Sequence, residues 1–117
     1  MSSVVQQRKL QAAFELLSTM CEDVSDTMPV RQALAFVAVA LRAGRDGTAD
    51  LRDIAKDTKA NSAVASRDLL SLGKRGRTGN PGLDLIEVKE DYSDLRRRPY
   101  VLTRKGTAVV NKLLEAV

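Results

Sequence analysis

The chain contains no histidine and no tryptophan, a single cysteine, and only two phenylalanines and two tyrosines. Without histidine, the usual general base near neutral pH and the commonest zinc ligand are both missing, so hydrolase, deaminase and metalloenzyme chemistry loses its central residue. Catalysis is not expected, and neither a metal nor another cofactor is. Cys21 cannot close an internal disulfide, which agrees with a reducing compartment. Four aromatic side chains, Phe14, Phe36, Tyr92 and Tyr100, with only Tyr92 near a basic stretch, are too few for a platform that stacks single-stranded bases. Long apolar runs are also missing: the longest, Ala33 to Leu41, falls well short of the roughly 20 residues that span a bilayer. The N-terminus turns polar at Gln6-Gln7-Arg8-Lys9, where a secretory signal would carry its apolar core, so cytoplasmic residence without membrane contact is expected.

What the 117 residues do supply is an apolar share of 44% and a charged share of 29%, those of a soluble globular chain with one modest core, and one domain over 1–117 is expected. The net charge of +4 is unevenly spread. Before Ala49, Arg8, Lys9, Arg31, Arg42 and Arg45 are balanced by Glu15, Glu22, Asp23, Asp26 and Asp46. After it, cations gather in two clusters: Lys59, Arg67, Lys74, Arg75 and Arg77 against Asp68, then Arg96, Arg97, Arg98, Arg104 and Lys105 against Asp94. Two clusters on different elements suit a polyanion better than a membrane surface, which would call for one amphipathic helix.

From about Val4 to Val24, Leu10, Ala13, Leu17, Met20 and Val24 step by three and four, widened by Phe14 and Cys21. This predicts an amphipathic helix whose stripe serves as core, as a seam for a partner helix, or as both. Thr27 before Pro29 fits the start of a second helix, from Met28 to about Ala43, ended by Gly44 and Gly47. Val30, Leu34, Val37 and Leu41 make one face of it and Ala33, Ala35, Phe36, Ala38, Val39 and Ala40 the rest, so burial nearly all round is expected, as the central strut.

Asp50 can cap a short helix that turns Leu51, Ile54 and Ala55 inward, with Asp53 in the capping-box position, and Thr48-Ala49 before it could form a very short edge strand. After the break at Thr58-Lys59-Ala60, Asn61 or Ser62 caps the next helix, where Ala65, Leu69 and Leu72 face the core. That leaves Ser62, Ala63, Ser66 and Arg67 outward, with Val64 at the margin. Two helices joined in this way, followed by a basic hairpin, describe a helix-turn-helix (about 50–73) with a wing (about 84–103). The first turns of a recognition helix enter the major groove, where short side chains permit close approach and an arginine can grip guanine with two bonds. Ser62, Ser66 and Asn61 can also meet phosphates; the plainer reading makes Ser62 a cap and pairs Arg67 with a carboxylate.

Gly73 to Gly82 holds four of the seven glycines and predicts a flexible basic loop, in which Lys74, Arg75 and Arg77 form either a phosphate-contacting arm or a solvated connector. Ile86 onward alternates, and Pro99 to Thr103 is its partner strand. The tip between them carries Arg96, Arg97 and Arg98, placed to meet backbone or the narrow minor groove, with Asp94 ordering the tip. A last helix over about 103–116 has Ala108, Val109, Leu113 and Ala116 or Val117 as its apolar side, broadened by Val110 and Leu114, and must dock on the first helix, on a second copy, or on both.

Ser66-Arg67 with Leu72 and Gly76, then Leu85-Ile86, and above all Asp94-Leu95-Arg96 followed by Val101-Leu102-Thr103-Arg104-Lys105-Gly106 resemble the MarR family of winged-helix regulators. The resemblance covers about half the chain. It implies a mainly α fold with a small β-hairpin, Arg67 as the recognition-helix arginine, and Asp94 and Arg96 as the wing-tip pair. It also implies a symmetric dimer joined through the N- and C-terminal helices on a palindromic site in double-stranded DNA. The chain departs from the family at Gly73, where glutamate is usual, in the basic insertion Arg77 to Gly82, and in lacking a long additional C-terminal helix. Some members sense oxidants through a cysteine in the first helix; for Cys21 a buried, inert thiol is the expectation. The reading from a different class is a winged-helix adaptor docking on a polymerase or replication complex, which fold alone does not exclude. The residues name no small-molecule effector.

Overall fold

The computed structural model describes residues 3–74, 81–89 and 98–116. Its elements run α1 (Val4–Asp23), α2 (Val30–Asp46), α3 (Leu51–Asp57), α4 (Ser62–Leu72), β1 (Ile86–Val88), β2 (Tyr100–Leu102) and α5 (Arg104–Glu115). The mainly α architecture with one small hairpin is as the sequence predicts, and the helix starts follow local capping chemistry. Ser3 Oγ accepts from Gln6 N at 3.1 Å while Gln6 Oε1 accepts from Ser3 N at 2.7 Å, a reciprocal capping box. Asp50 Oδ1 accepts from Asp53 N at 2.9 Å to open α3.

Two features of α2 differ from the sequence expectation. The helix does not stop near Ala43 but runs through Gly44 to Asp46, and Gly47, at φ 90°, ends it. Pro29 sits at the cap, before the first helical residue, with no side-chain hydrogen bond. Nor is α2 buried all round. Ala35, Phe36, Ala38 and Val39 face the core, whereas Val30, Leu34, Val37 and Leu41 form an exposed stripe on the opposite side. Arg31, Arg42, Arg45 and Asp46 mark one side of α2, but its apolar residues wrap the rest, so spacing alone does not say which of them face inward; neighbours decide, and α4 and β2 pack against α2 where Phe36 is buried.

The core gathers Phe36 and Val39 from α2, Ile54 from α3, Leu69 and Leu72 from α4, Leu85 and Ile86 before and within β1, Tyr100 from β2, and Val109 and Leu113 from α5. β1 and β2 pair antiparallel, Ile86 opposite Leu102 and Val88 opposite Tyr100. Ala49 bridges Tyr100 through two backbone bonds, Ala49 N to Tyr100 O at 2.9 Å and Tyr100 N to Ala49 O at 2.6 Å, so the expected edge segment exists as a single bridge.

α1 packs chiefly on α5, joined by Lys112 Nζ to Asp23 Oδ2 at 3.0 Å, an ion pair that holds the Lys112 ammonium above its ordinary value. Of the stripe read in α1, only Met20 is buried; Leu10, Phe14 and Leu17 are exposed, and Leu16 and Val24 are the half-buried neighbours that touch the core. Cys21 is exposed too, against the expectation of a buried thiol. On α5, Gly106, Val109 and Leu113 are buried, whereas Ala108, expected inward, faces solvent. Among the described residues, no helix is long and apolar enough to cross a membrane.

Candidate nucleic-acid interface

The turn between α3 and α4 is built from three local devices. Thr58 Oγ1 donates to Ile54 O at 2.7 Å and ends α3, Lys59 adopts φ 55°, and Ala60 N returns to Ala55 O at 2.9 Å. Asn61 then caps α4, its Oδ1 accepting from Val64 N at 2.9 Å. Of the two cap candidates, the structure selects Asn61, which commits its side-chain oxygen to the helix and leaves Ser62 exposed. With Ala65, Leu69 and Leu72 buried, Ser62, Ala63, Ser66 and Arg67 are exposed and Val64 is half-buried, as the spacing predicts.

Two polar anchors fix these helices, and neither is apparent from spacing along the chain. Arg42 on α2 grips Asp57 at the end of α3 with two bonds, Nε to Oδ2 and Nη2 to Oδ1, both 2.8 Å, and its Nη1 lies 3.8 Å from Asp53. The Arg42 hydrogen bonds hold the Asp57 carboxyl below its ordinary value, and the same contact raises the Arg42 guanidinium. Asp68 on α4 is buried, with Arg31 Nε of α2 3.6 Å from its Oδ2, an ion pair too long to be a hydrogen bond. That oxygen has no hydrogen-bond partner among the described residues. Asp68 stands three residues after Ala65 and four before Leu72, a spacing that already places it on the inner face.

The base of the hairpin is held by a run of backbone bonds. Gly82 N reaches Lys74 O at 3.1 Å, Leu83 N reaches Ser71 O at 3.0 Å, and Leu85 N reaches Leu72 O at 2.8 Å. Thr103 closes the other side: its N donates to Leu85 O at 3.0 Å, its Oγ1 donates to Asp84 O at 2.6 Å, and it accepts from Gly106 N at 3.0 Å as the cap of α5. Between α4 and the hairpin lies an open groove of about 390 Å³. Ser66, Leu70 and Lys74 line it from the helix side, and Glu87, Val88 and Arg98 from the hairpin side.

Ser66, Lys74 and Arg98 are therefore brought together around one groove, while Asn61, Ser62, Val64 and Arg67 lie on α4 outside its lining. Among the described residues, none of Arg67, Lys74 and Arg98 makes an ion pair. Asp84 and Glu87 also line the groove, carboxylates that the charge clusters read from the sequence did not include. Arg75, Arg77, Asp94, Arg96 and Arg97 lie outside the described residues. Among the described residues, no group of acidic, cysteine or histidine side chains could hold a metal ion.

A short helix, a turn, a second helix with an outward Ser/Arg face, a two-stranded hairpin and a closing helix define a winged helix-turn-helix. The fold is similar to that of BpsR of Bordetella bronchiseptica, a MarR-family transcription regulator whose DNA binding is regulated by 6-hydroxynicotinic acid. The two match with a TM-score of 0.56 at 20% identity, over 97% of this chain and 78% of that one. The chain thus shares the winged-helix fold of that regulator. No protein-family model matches the sequence, and no curated protein is similar to it.

Proposed function

We propose that the whole chain is one winged-helix domain that binds double-stranded DNA sequence-specifically as a homodimer and regulates transcription in the cytoplasm. The observation that carries this is the outward face of α4, where Ser62, Ser66 and Arg67 stand free of the core beside a groove rimmed by Lys74 and Arg98. BpsR, with the same architecture, binds DNA. In this reading the first turns of α4 enter the major groove, and Arg67 reads a base edge with Val64 against the groove wall. Asn61, Ser62 and Ser66 meet phosphates through their remaining hydrogen-bonding groups. Lys74, Arg75 and Arg77 contact the backbone beside α4, Arg96, Arg97 and Arg98 take the flanking backbone or minor groove, and Asp94 orders the wing tip.

Selecting bound fragments from a random DNA pool tests the proposal, and a palindromic consensus is expected. On that site Arg67→Ala should weaken binding by roughly 5- to 150-fold, the equivalent of about 1–3 kcal/mol, and relax preference at one base position. Lys74→Ala and Arg98→Ala should weaken all sequences alike and each lower the salt slope by about 0.9. Unchanged affinity in all three variants, or retention of a protein partner and no DNA, would overturn it.

A further inference from the structure

α1 and α2 each carry an exposed seam of the same length and step. On α1 it runs Leu10, Phe14, Leu17 and Cys21; on α2 it runs Val30, Leu34, Val37 and Leu41. Both advance by four, three and four, the spacing at which two helices interlock at a shallow angle. Every side chain named is exposed, so the chain does not bury one seam against the other within itself. Ala33, Ala40 and Gly44 flank that seam, and the exposed Arg45, one turn beyond Leu41, marks its C-terminal end.

Such a helix face is out of keeping with a surface open to water. α1 is equally unsupported: in its 20 residues only Met20 is buried, and a helix owes most of its stability to what it packs against. The molecule is correspondingly long, 52 × 29 × 26 Å. The eight side chains of the two seams offer about 800 Å² per chain at roughly 100 Å² each, comparable to the ~800 Å² per partner that a standard interface buries.

We infer that the α1 seam of one copy packs into the α2 seam of a second copy, and reciprocally, so that α1, α2 and their symmetry mates form the dimer interface. This rests on the homodimer of the proposed function and assigns its surface to α2, an element that the resemblance to known regulators did not single out. The reciprocal pairing follows from two-fold symmetry, in which each chain gives one seam and receives the other.

Sedimentation of the full chain across a concentration series reads the result. Phe14→Lys with Leu17→Lys, and separately Leu34→Glu with Val37→Glu, should each raise the dimer dissociation constant at least 100-fold; circular dichroism should show an unchanged fold, because all four side chains lie outside the core. Mixing the two variants should then restore a dimer. One of its two contacts would be lysine against glutamate and the other wild type, whereas seams that meet their own kind would leave both contacts mismatched. Loss of dimer without restoration on mixing overturns the α1-on-α2 pairing, and a dimer that survives either variant overturns the seam itself. A sequence-specific gel shift retained in either case shows that the pairing, and not DNA recognition, has failed.

Discussion

Gly106 and Gly44 are both helical glycines, and replacing each with alanine should change stability in opposite directions. Gly106 is in the first turn of α5, and a Cβ added there would overlap the carbonyl of Leu85. Leu85 cannot withdraw. It is fully buried, its N donates to Leu72 O at 2.8 Å, and its O accepts from Thr103 N at 3.0 Å. α5 must therefore separate from the base of β1, straining the Thr103 N bond to Leu85 and the 2.6 Å Thr103 Oγ1 bond to Asp84 O. Two such bonds are worth about 2 kcal/mol net, and overpacking in a tight site costs about 1–3 kcal/mol. Against this, alanine gains at most about 1 kcal/mol of helix propensity. The clash wins, and Gly106→Ala should lose roughly 2–3 kcal/mol, close to a 10 °C fall in Tm for a domain of this size. Gly44 meets nothing within 4 Å of its Cβ position in its own chain, so at concentrations where the chain is monomeric Gly44→Ala should gain about 0.5–1 kcal/mol. Urea titrations at matched protein concentration measure both. If Gly106→Ala is neutral or stabilising, as at Gly44, the contact between α5 and Leu85 does not constrain the wing base.

Three further substitutions probe the other supports. Phe36, fully buried under α4 and β2, should cost about 3–5 kcal/mol when cut to alanine, read by urea titration at constant m. Asn61→Ala removes the cap of α4 and should cost about 1 kcal/mol, whereas Asn61→Asp or Asn61→Ser should be nearly neutral, by the same measurement. Asp57→Asn should be less stable than wild type at neutral pH. Because the Asp57 pKa is lowered on folding, its contribution is complete above the ordinary value of 3.8 and fades as pH falls through the folded value, so the two proteins should converge in acid. An Asp57→Asn deficit that persists unchanged in strong acid would show that the Arg42 pair is not its cause.

The parts of the fold that were legible in the sequence are those fixed by neighbours in the chain. The outward Ser62, Ser66 and Arg67 followed from the step of Ala65, Leu69 and Leu72, and a cap at either Asn61 or Ser62 from their place before that step, the choice of Asn61 coming only with the fold. Likewise β1 and β2 followed from alternation on either side of a polar turn. Contacts that join distant residues were not legible. Arg42 meets Asp57 fifteen residues away and Arg31 meets Asp68 across two helices, and neither pairing leaves a periodic trace. The exposed seam of α2 was missed for a different reason: apolar content alone says that a face avoids water, and it does not say whether this chain or another copy covers it.

α2 is the element through which these separate readings become one. Its inner face seats α4 and β2, Arg42 pins α3, Arg31 reaches Asp68 on α4, and its outer face carries the seam. Two copies clasped through α2 would therefore have the separation of their α4 helices set by a rigid strut and two ion pairs, and half-site spacing is what a dimer reads. Arg31→Ala tests that linkage without touching the seam. It leaves the Asp68 carboxylate buried without its cation; because Arg31 is about half exposed, solvent screening limits the loss to roughly 1 kcal/mol. α4 should then sit less firmly on α2, and affinity for a palindromic site should fall several-fold while the dimer dissociation constant stays put. Asp68→Asn in the same chain should recover part of the stability, because the unpaired charge is gone. Equal affinity for the palindrome and for a single half-site in wild type, or an Arg31→Ala variant that weakens the dimer as much as it weakens DNA binding, would refute the idea that α2 transmits the geometry of one face to the other.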